Sequence, residues 1–305
     1  MAILADVRGG IRPEVDGPGS LDAQQRQGRT LRQAAAYVGL TVASLVMFLP
    51  FYYMITIALQ EKGSASVLNW PPPFAPHWPI QVSNFADVFT ALPFARFFFN
   101  SGLIAVLSVS GTLLSSTIVA YAFARLRFRG RSTLFIAMLA TLMVPPQVTL
   151  IPQFILFRSF QWYDTFYPLW VPHWTGSAFA IFLLRQYFMT LPVELEDAAR
   201  MDGASAFRIY SQIFVPLSKP VLATIAVLVF LSSWNDLLLP VVYLSSEKNY
   251  TVPLGMAFFN DASGQVPDLI AVMAASILAV VPPILIFIFA QGYFVRGIVL
   301  TGLKG

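Results

Sequence analysis

No cysteine occurs anywhere in the 305 residues, which excludes disulfides, thiolate metal sites and cysteine nucleophiles. Histidine is almost as scarce, with only His77 and His173, far apart in the chain. Asp, Glu, Lys and Arg together make up 11% of the residues against 57% hydrophobic ones. A soluble domain carries about 25% charged residues, so this is the composition of a membrane protein. No Gly-x-x-x-x-Gly-Lys-Ser/Thr stretch is present, hence no loop in this chain to cradle a nucleotide phosphate. His-Glu-x-x-His, Gly-x-Ser-x-Gly and paired intramembrane aspartates are also missing, so an intramembrane enzyme has no motif to rest on.

What the chain does have is long runs without charge. Residues 33–60, 97–124, 132–157, 165–184 and 269–295 contain no Asp, Glu, Lys or Arg. About 20 apolar residues cross the hydrocarbon core as a helix. A shorter run, 220–235, stays apolar through 244 once Asp236 is passed. The expectation is an all-α polytopic protein with six transmembrane helices, at about 34–59, 97–124, 132–156, 170–190, 218–242 and 269–295. All of the 19 basic residues except Lys62, Arg96, Arg158 and Lys248 fall in the N-terminal segment, in 125–131, in 185–219 or near the C-terminus. Basic residues concentrate on the cytoplasmic side, so both termini are expected there. The net charge of +4 is thus a topology signal and implies no nucleic-acid partner. Residues 1–32, rich in Gly, Gln and Arg, are expected to form a disordered cytoplasmic tail preceding a membrane domain over 33–305.

Several polar or irregular features interrupt the spans. The third holds Val144-Pro145-Pro146-Gln147 and Pro152-Gln153. Irregular backbone at such depth survives only where protein or a water-filled cavity covers it, so Gln147 and Gln153 are candidate translocation-path residues on what is otherwise a kinked packing helix. Trp234, Asn235 and Asp236 lie roughly 25 Å along a helix from Lys219 at 1.5 Å per residue. Solute contact and structural capping both account for them. The two histidines are expected to be interfacial hydrogen-bonders, with no metal site. Residues 69–80, with Trp70, Trp78 and five prolines, read as a stiff stretch at the outer interface.

The longest polar-rich segment between two spans is 192–217. Pro192 suits a helix start, and Glu194, Glu196 and Asp197 follow it at the positive end of the helix dipole. Gly203 is expected to end this helix in the left-handed conformation. Ser205 can cap a second helix reaching about residue 215, with Phe207, Tyr210, Ile213 and Phe214 on one apolar face. The prediction is a helix–Gly–helix elbow at the membrane surface.

Asp197-Ala198-Ala199, then Gly203 after three residues, then Ile213-Phe214-Val215-Pro216, resembles the EAA loop of bacterial ABC-importer permeases. Asp197 stands where the family usually has Glu, and Val215 where it has Leu. The resemblance runs from about residue 97 through Trp234-Asn235-Asp236 to the terminal Gly-Leu-Lys-Gly, and is similar to the carbohydrate-uptake, maltose-type subgroup. It implies the type I ABC importer permease fold in a bacterial inner membrane, a second permease subunit in a heterodimer, and two ATPase subunits carrying ATP and Mg²⁺. This chain itself would hold no cofactor. The resemblance also implies that Glu194, Asp197, Ala198, Ala199, Asp202, Gly203, Ala204, Ile213 and Pro216 couple to an ATPase subunit. An external solute-binding protein would deliver a sugar or oligosaccharide and touch the loop 244–267 through Phe258, Phe259, Asn260 and Asp261. The competing class is a secondary transporter or channel for a small polar solute. Such proteins usually carry ionisable residues in several spans. These spans are nearly free of them and no repeated half is visible, so the driving energy is expected to arrive from another subunit.

Overall fold

The computed structural model describes residues 18–61, 79–259 and 269–302, and among these no strand occurs. The chain forms two bodies, Met1–Tyr53 and Met54–Gly305. In the first, helix α1 (Pro18–Ala58, its last turn in the second body) begins well before the expected span. Residues 18–32 are helical where an irregular tail was expected. Gln, Arg, Leu and Ala are good helix formers, and lengthening an existing helix needs no new nucleus. Every residue from 32 to 52 is exposed, an apolar surface suited to lipid or to another helix.

The second body runs α2 (Ser83–Ala91), α3 (Phe94–Arg125), α4 (Arg131–Ala140), α5 (Pro146–Ser159), α6 (Tyr167–Trp170), α7 (Ala178–Thr190), α8 (Val193–Met201), α9 (Ala206–Ile209), α10 (Val215–Leu217), α11 (Lys219–Trp234), α12 (Leu238–Tyr243), α13 (Val252–Phe259) and α14 (Leu269–Gly302). Among the described residues three helices are long and apolar enough to cross a bilayer: Arg32–Ala58, Phe94–Arg125 and Leu269–Gly292. Three more stretches qualify only as bent pairs. Arg131–Met143 and Pro146–Ser159 meet at 96°, because Val144 is extended and Pro145 and Pro146 withhold two amide donors. The expected third span is therefore two half-helices, while Pro152 sits within α5 without ending it. The fourth stretch, Tyr167–Thr190, bends by 77° into α8. The fifth, Lys219–Trp234, follows the segment Ala206–Leu217 at 76° and ends earlier than expected, α12 taking up the chain after three residues.

Helix α3 is the post against which α7, α11 and the 3₁₀ segment Val171–Thr175 pack. Its inner face is small: Ser101, Ala105, Ser108, Thr112, Ser116 and Ala120 are all buried. Small side chains let helix backbones approach closely, which is how apolar helices associate without a hydrophobic drive between them. At Gly111 an added Cβ would overlap the Trp174 indole, whose Nε1 donates to the Leu107 carbonyl at 3.0 Å. His173 Nδ1 lies 3.3 Å from the Thr112 hydroxyl, in the middle of α3. It is a hydrogen-bonder as expected, but inside the bundle, because the 3₁₀ segment dips against α3. His77 lies outside the described residues.

Candidate functional site

The elbow 192–217 assembles as its residues dictate. Pro192, extended at ψ 137°, precedes α8, and Glu194 and Glu196 occupy the first turn. At the other end Gly203 takes φ +77°, its amide donating to the Arg200 carbonyl at 3.0 Å, while the Ala204 amide reaches back to Ala199 at 2.9 Å. This pair of bonds is the Schellman closure that a left-handed glycine permits. Ser205 then caps α9 by accepting from the Arg208 amide at 3.3 Å.

The second half of the elbow departs from a regular helix. Residues Tyr210–Phe214 form a π turn before α10. Pro216 has no N–H for the Gln212 carbonyl, so one rung of an α ladder is absent there in any case. The wider turn changes the phase of the apolar stripe. Ile209, Tyr210 and Phe214 are buried, Ile213 is half-buried, and Phe207 is 72% exposed. The expected face of Phe207, Tyr210, Ile213 and Phe214 is corrected accordingly.

The elbow is locked to the post by one arginine. Arg125, the last residue of α3, donates through Nη2 to the carbonyls of Phe188 at 2.7 Å and Leu191 at 2.5 Å, at the end of α7. Its Nε lies 3.8 Å from Glu196 Oε2 on α8, and its guanidinium stands 4.9 Å from the centre of the Phe214 ring. Glu196 also accepts from Arg200 at 2.6 Å. The side chains of Arg125 and Glu196 are only 8% and 6% exposed. Above them the Tyr210 hydroxyl and Thr117 share a 2.8 Å hydrogen bond, and Tyr121 packs on both Tyr210 and Phe214. Four pieces of the chain thus converge on one cation. Sequence reasoning assigned no role to Arg125, which reads as a topology charge; the available hint was the four-residue spacing of Glu196 and Arg200.

On the outer surface of this latch Glu194, Asp197, Ala198, Asp202 and Gly203 are exposed, Ala199 and Ala204 half so, with Ile213 and Pro216 on the second limb. Among the described residues Asp197 makes no ion pair, leaving its charge free for a partner. The remaining expected residues do not form one site. Gln147 and Gln153 are exposed on α5, Gln153 donating to Thr149 at 3.2 Å. Trp234 is 4% exposed, bonds the Ala279 carbonyl at 3.0 Å and stacks on Phe230. Asn235 bonds its own helix at Leu231, and Asp236 accepts the Leu239 amide at 3.3 Å, capping α12. Phe258 is 44% exposed and stacks on Tyr250, and Phe259 closes α13. The loop 244–267 is partly helical rather than irregular, whereas Asn260 and Asp261 lie outside the described residues.

At the opposite end of the post, Asp164 staples the start of that loop. Its Oδ1 accepts the amides of Ser245 and Ser246, both at 2.9 Å, its Oδ2 accepts the Ser246 hydroxyl, and Asn249 donates to its Oδ1 and its backbone carbonyl. Burial opposes ionisation, but these donors outweigh it and bring the carboxyl down to about 2. A folded pKa below the unfolded value of about 3.9 contributes stability that is complete above about pH 4 and is lost as pH falls towards 2. Melting of the detergent-solubilised protein should drop across that window. Asp164→Ala should remove part of the drop and expose 244–250 to proteolysis at neutral pH; identical acid profiles would contradict the staple.

The described residues thus form an apolar helical bundle that presents an exposed polar knob joined to its central helix. The chain belongs to the binding-protein-dependent transport system inner membrane component family, whose model matches residues 111–300. It is 37% identical over 227 residues, 74% of this chain and 80% of the relative, to the arabinooligosaccharides transport system permease protein AraQ of Halalkalibacterium halodurans. It is 32% identical, over 88% of this chain and 91% of the relative, to the osmoprotective compounds uptake permease protein GgtD of Synechocystis. Among solved structures it is similar to a bacterial ABC transporter involved in the import of the acidic polysaccharide alginate, with 25% identity and a TM-score of 0.74 over 88% of this chain and 98% of that one.

Proposed function

We propose that this chain is one of two permease subunits of an ATP-driven importer that takes up a sugar or oligosaccharide delivered by an external solute-binding protein. The observation that carries the reading is the elbow: an exposed polar face of α8, turned by Gly203 and latched through Glu196 and Arg125 to the longest buried helix. In this reading six spans cross the bilayer, each bent pair counting as one, with both termini and the elbow cytoplasmic. An ATPase subunit docks on Glu194, Asp197, Ala198, Ala199, Asp202, Gly203, Ala204 and the limb through Ile213 and Pro216. When two such subunits close on Mg-ATP, the elbow moves, α3 moves with it, and the permease passes from inward- to outward-facing. Sugar as cargo is supported by relatives named for arabinooligosaccharides and for trehalose/maltose. Gln147, Gln153 and Asn235 remain candidate path residues, whereas Trp234 and Asp236 serve the reading as packing and cap. Phe258 is the described part of the proposed binding-protein contact.

Asp197 is assigned an ion pair with a basic residue of the ATPase. A half-exposed interfacial pair contributes on the order of 1 kcal/mol, whereas like charges across an interface cost several. Asp197→Lys should therefore strip the ATPase from the purified complex, and Asp197→Glu should retain it. Equal co-purification of the ATPase with both variants would remove this assignment.

A further inference from the structure

Arg125, Arg127, Arg129 and Arg131 fall within seven residues, in the turn that joins one apolar helix to the next. Three of them, Arg125, Arg127 and Arg131, line a half-enclosed cavity of about 910 Å³ whose far wall is α8, with Glu196, Asp197 and Arg200. Four guanidinium groups thus face two carboxylates, and one of these, Glu196, is already taken up by Arg200 and Arg125. Arg127 has no ion pair among the described residues, and Arg131 bonds only the Leu126 carbonyl, at 3.2 Å. The Nε of Arg125 is buried without a hydrogen bond, its nearest carboxylate oxygen being 3.8 Å away. A buried donor without an acceptor costs stability unless something outside the chain supplies one.

We propose that this cavity holds the phosphate of an anionic phospholipid headgroup from the cytoplasmic leaflet, placed between the α3–α4 turn and the coupling helix α8. Arginine forks match phosphate oxygens in pairs, and basic pockets between spans on the cytoplasmic side suit anionic headgroups. The depth is right for a lipid: Arg125 ends a 32-residue helix that is apolar enough to cross the bilayer, and Arg131 begins the next. The headgroup would complete the hydrogen bonding of the arginine that latches the elbow, making the latch sensitive to lipid composition. This inference rests on the orientation proposed above but not on the identity of the cargo.

The test is native mass spectrometry of the full complex taken from nanodiscs of mixed phosphatidylglycerol and phosphatidylcholine. It reads bound lipid without ATP or sugar, so its outcome is separate from that of a transport assay. The parent complex should retain phosphatidylglycerol in preference, and R127Q and R131Q should each lower that retention several-fold. R129Q removes the same charge from the same turn but outside the cavity wall, and should retain it as the parent does. Inorganic phosphate should not displace the lipid. The proposal is overturned if all three variants retain lipid alike, if inorganic phosphate competes it away, or if lipid binds the isolated permease but not the full complex. The last result would mean that an acidic segment of the ATPase occupies the cavity.

Discussion

Arg125→Ala is expected to destabilise the permease by about 3–5 kcal/mol, because it leaves the Glu196 carboxylate buried with one partner fewer. Two carbonyls at the end of α7 also lose their donor. Low yield of that variant alone would say little about coupling, so the informative variant is Arg125→Met with Glu196→Met. Replacing a buried pair by apolar residues of similar volume is often neutral or stabilising, and here it removes the latch without leaving a buried charge unpaired, since Arg200, which also loses Glu196, is 55% exposed. The double variant should fold, insert and bind the ATPase through the intact outer face of α8. Its ATP hydrolysis should continue while sugar accumulation falls at least several-fold, since movement of the elbow no longer reaches α3. A double variant that transports with parental stoichiometry would show that the latch is structural packing only.

Gly203→Pro should abolish transport while the protein still inserts. Proline fixes φ near −65°, against +77° here, and removes the amide that bonds the Arg200 carbonyl. The exit of the chain from α8 must then change direction, drawing Tyr210 and Phe214 of the second limb away from their ring contacts with Tyr121. The environment of Gly203 is open, with no atom within 4 Å of an added Cβ. Gly203→Ala should therefore cost only the left-handed backbone penalty of about 1–2 kcal/mol and keep partial transport. Ranking the two variants separates backbone conformation from side-chain bulk: a Pro variant that transports as well as the Ala variant would show that the turn is not needed in this geometry.

The elbow was legible because its punctuation is local. Pro192, Gly203 and Ser205 each act within four residues of themselves, and all three do what their chemistry requires. The long charge-free runs were legible for the same reason, since a run of 20 apolar residues admits few other structures. The phase of the second limb was not: one π turn rotates Phe207 out and Ile209 in, and period counting assumes that no such turn intervenes. The Arg125–Glu196 latch was hidden by distance along the chain, its partners meeting only once α7 and α8 fold back on α3. The triplet Trp234-Asn235-Asp236 looked like a unit because it is contiguous, yet the helix ends there and its three side chains go to α14, to their own helix and to the next one.

On the proposed function this chain moves its solute only when a partner ATPase works through the elbow. The direct measurement is sugar accumulation in proteoliposomes holding the purified permease pair, with and without the ATPase subunits, Mg-ATP and loaded solute-binding protein. Accumulation is expected only with all of them present, with ATP hydrolysis stimulated by the loaded binding protein and that stimulation lost in Gly203→Pro. Uptake by the permease alone, driven by a solute or ion gradient and unaffected by Gly203→Pro, would contradict the account and mark the chain as a secondary transporter or channel.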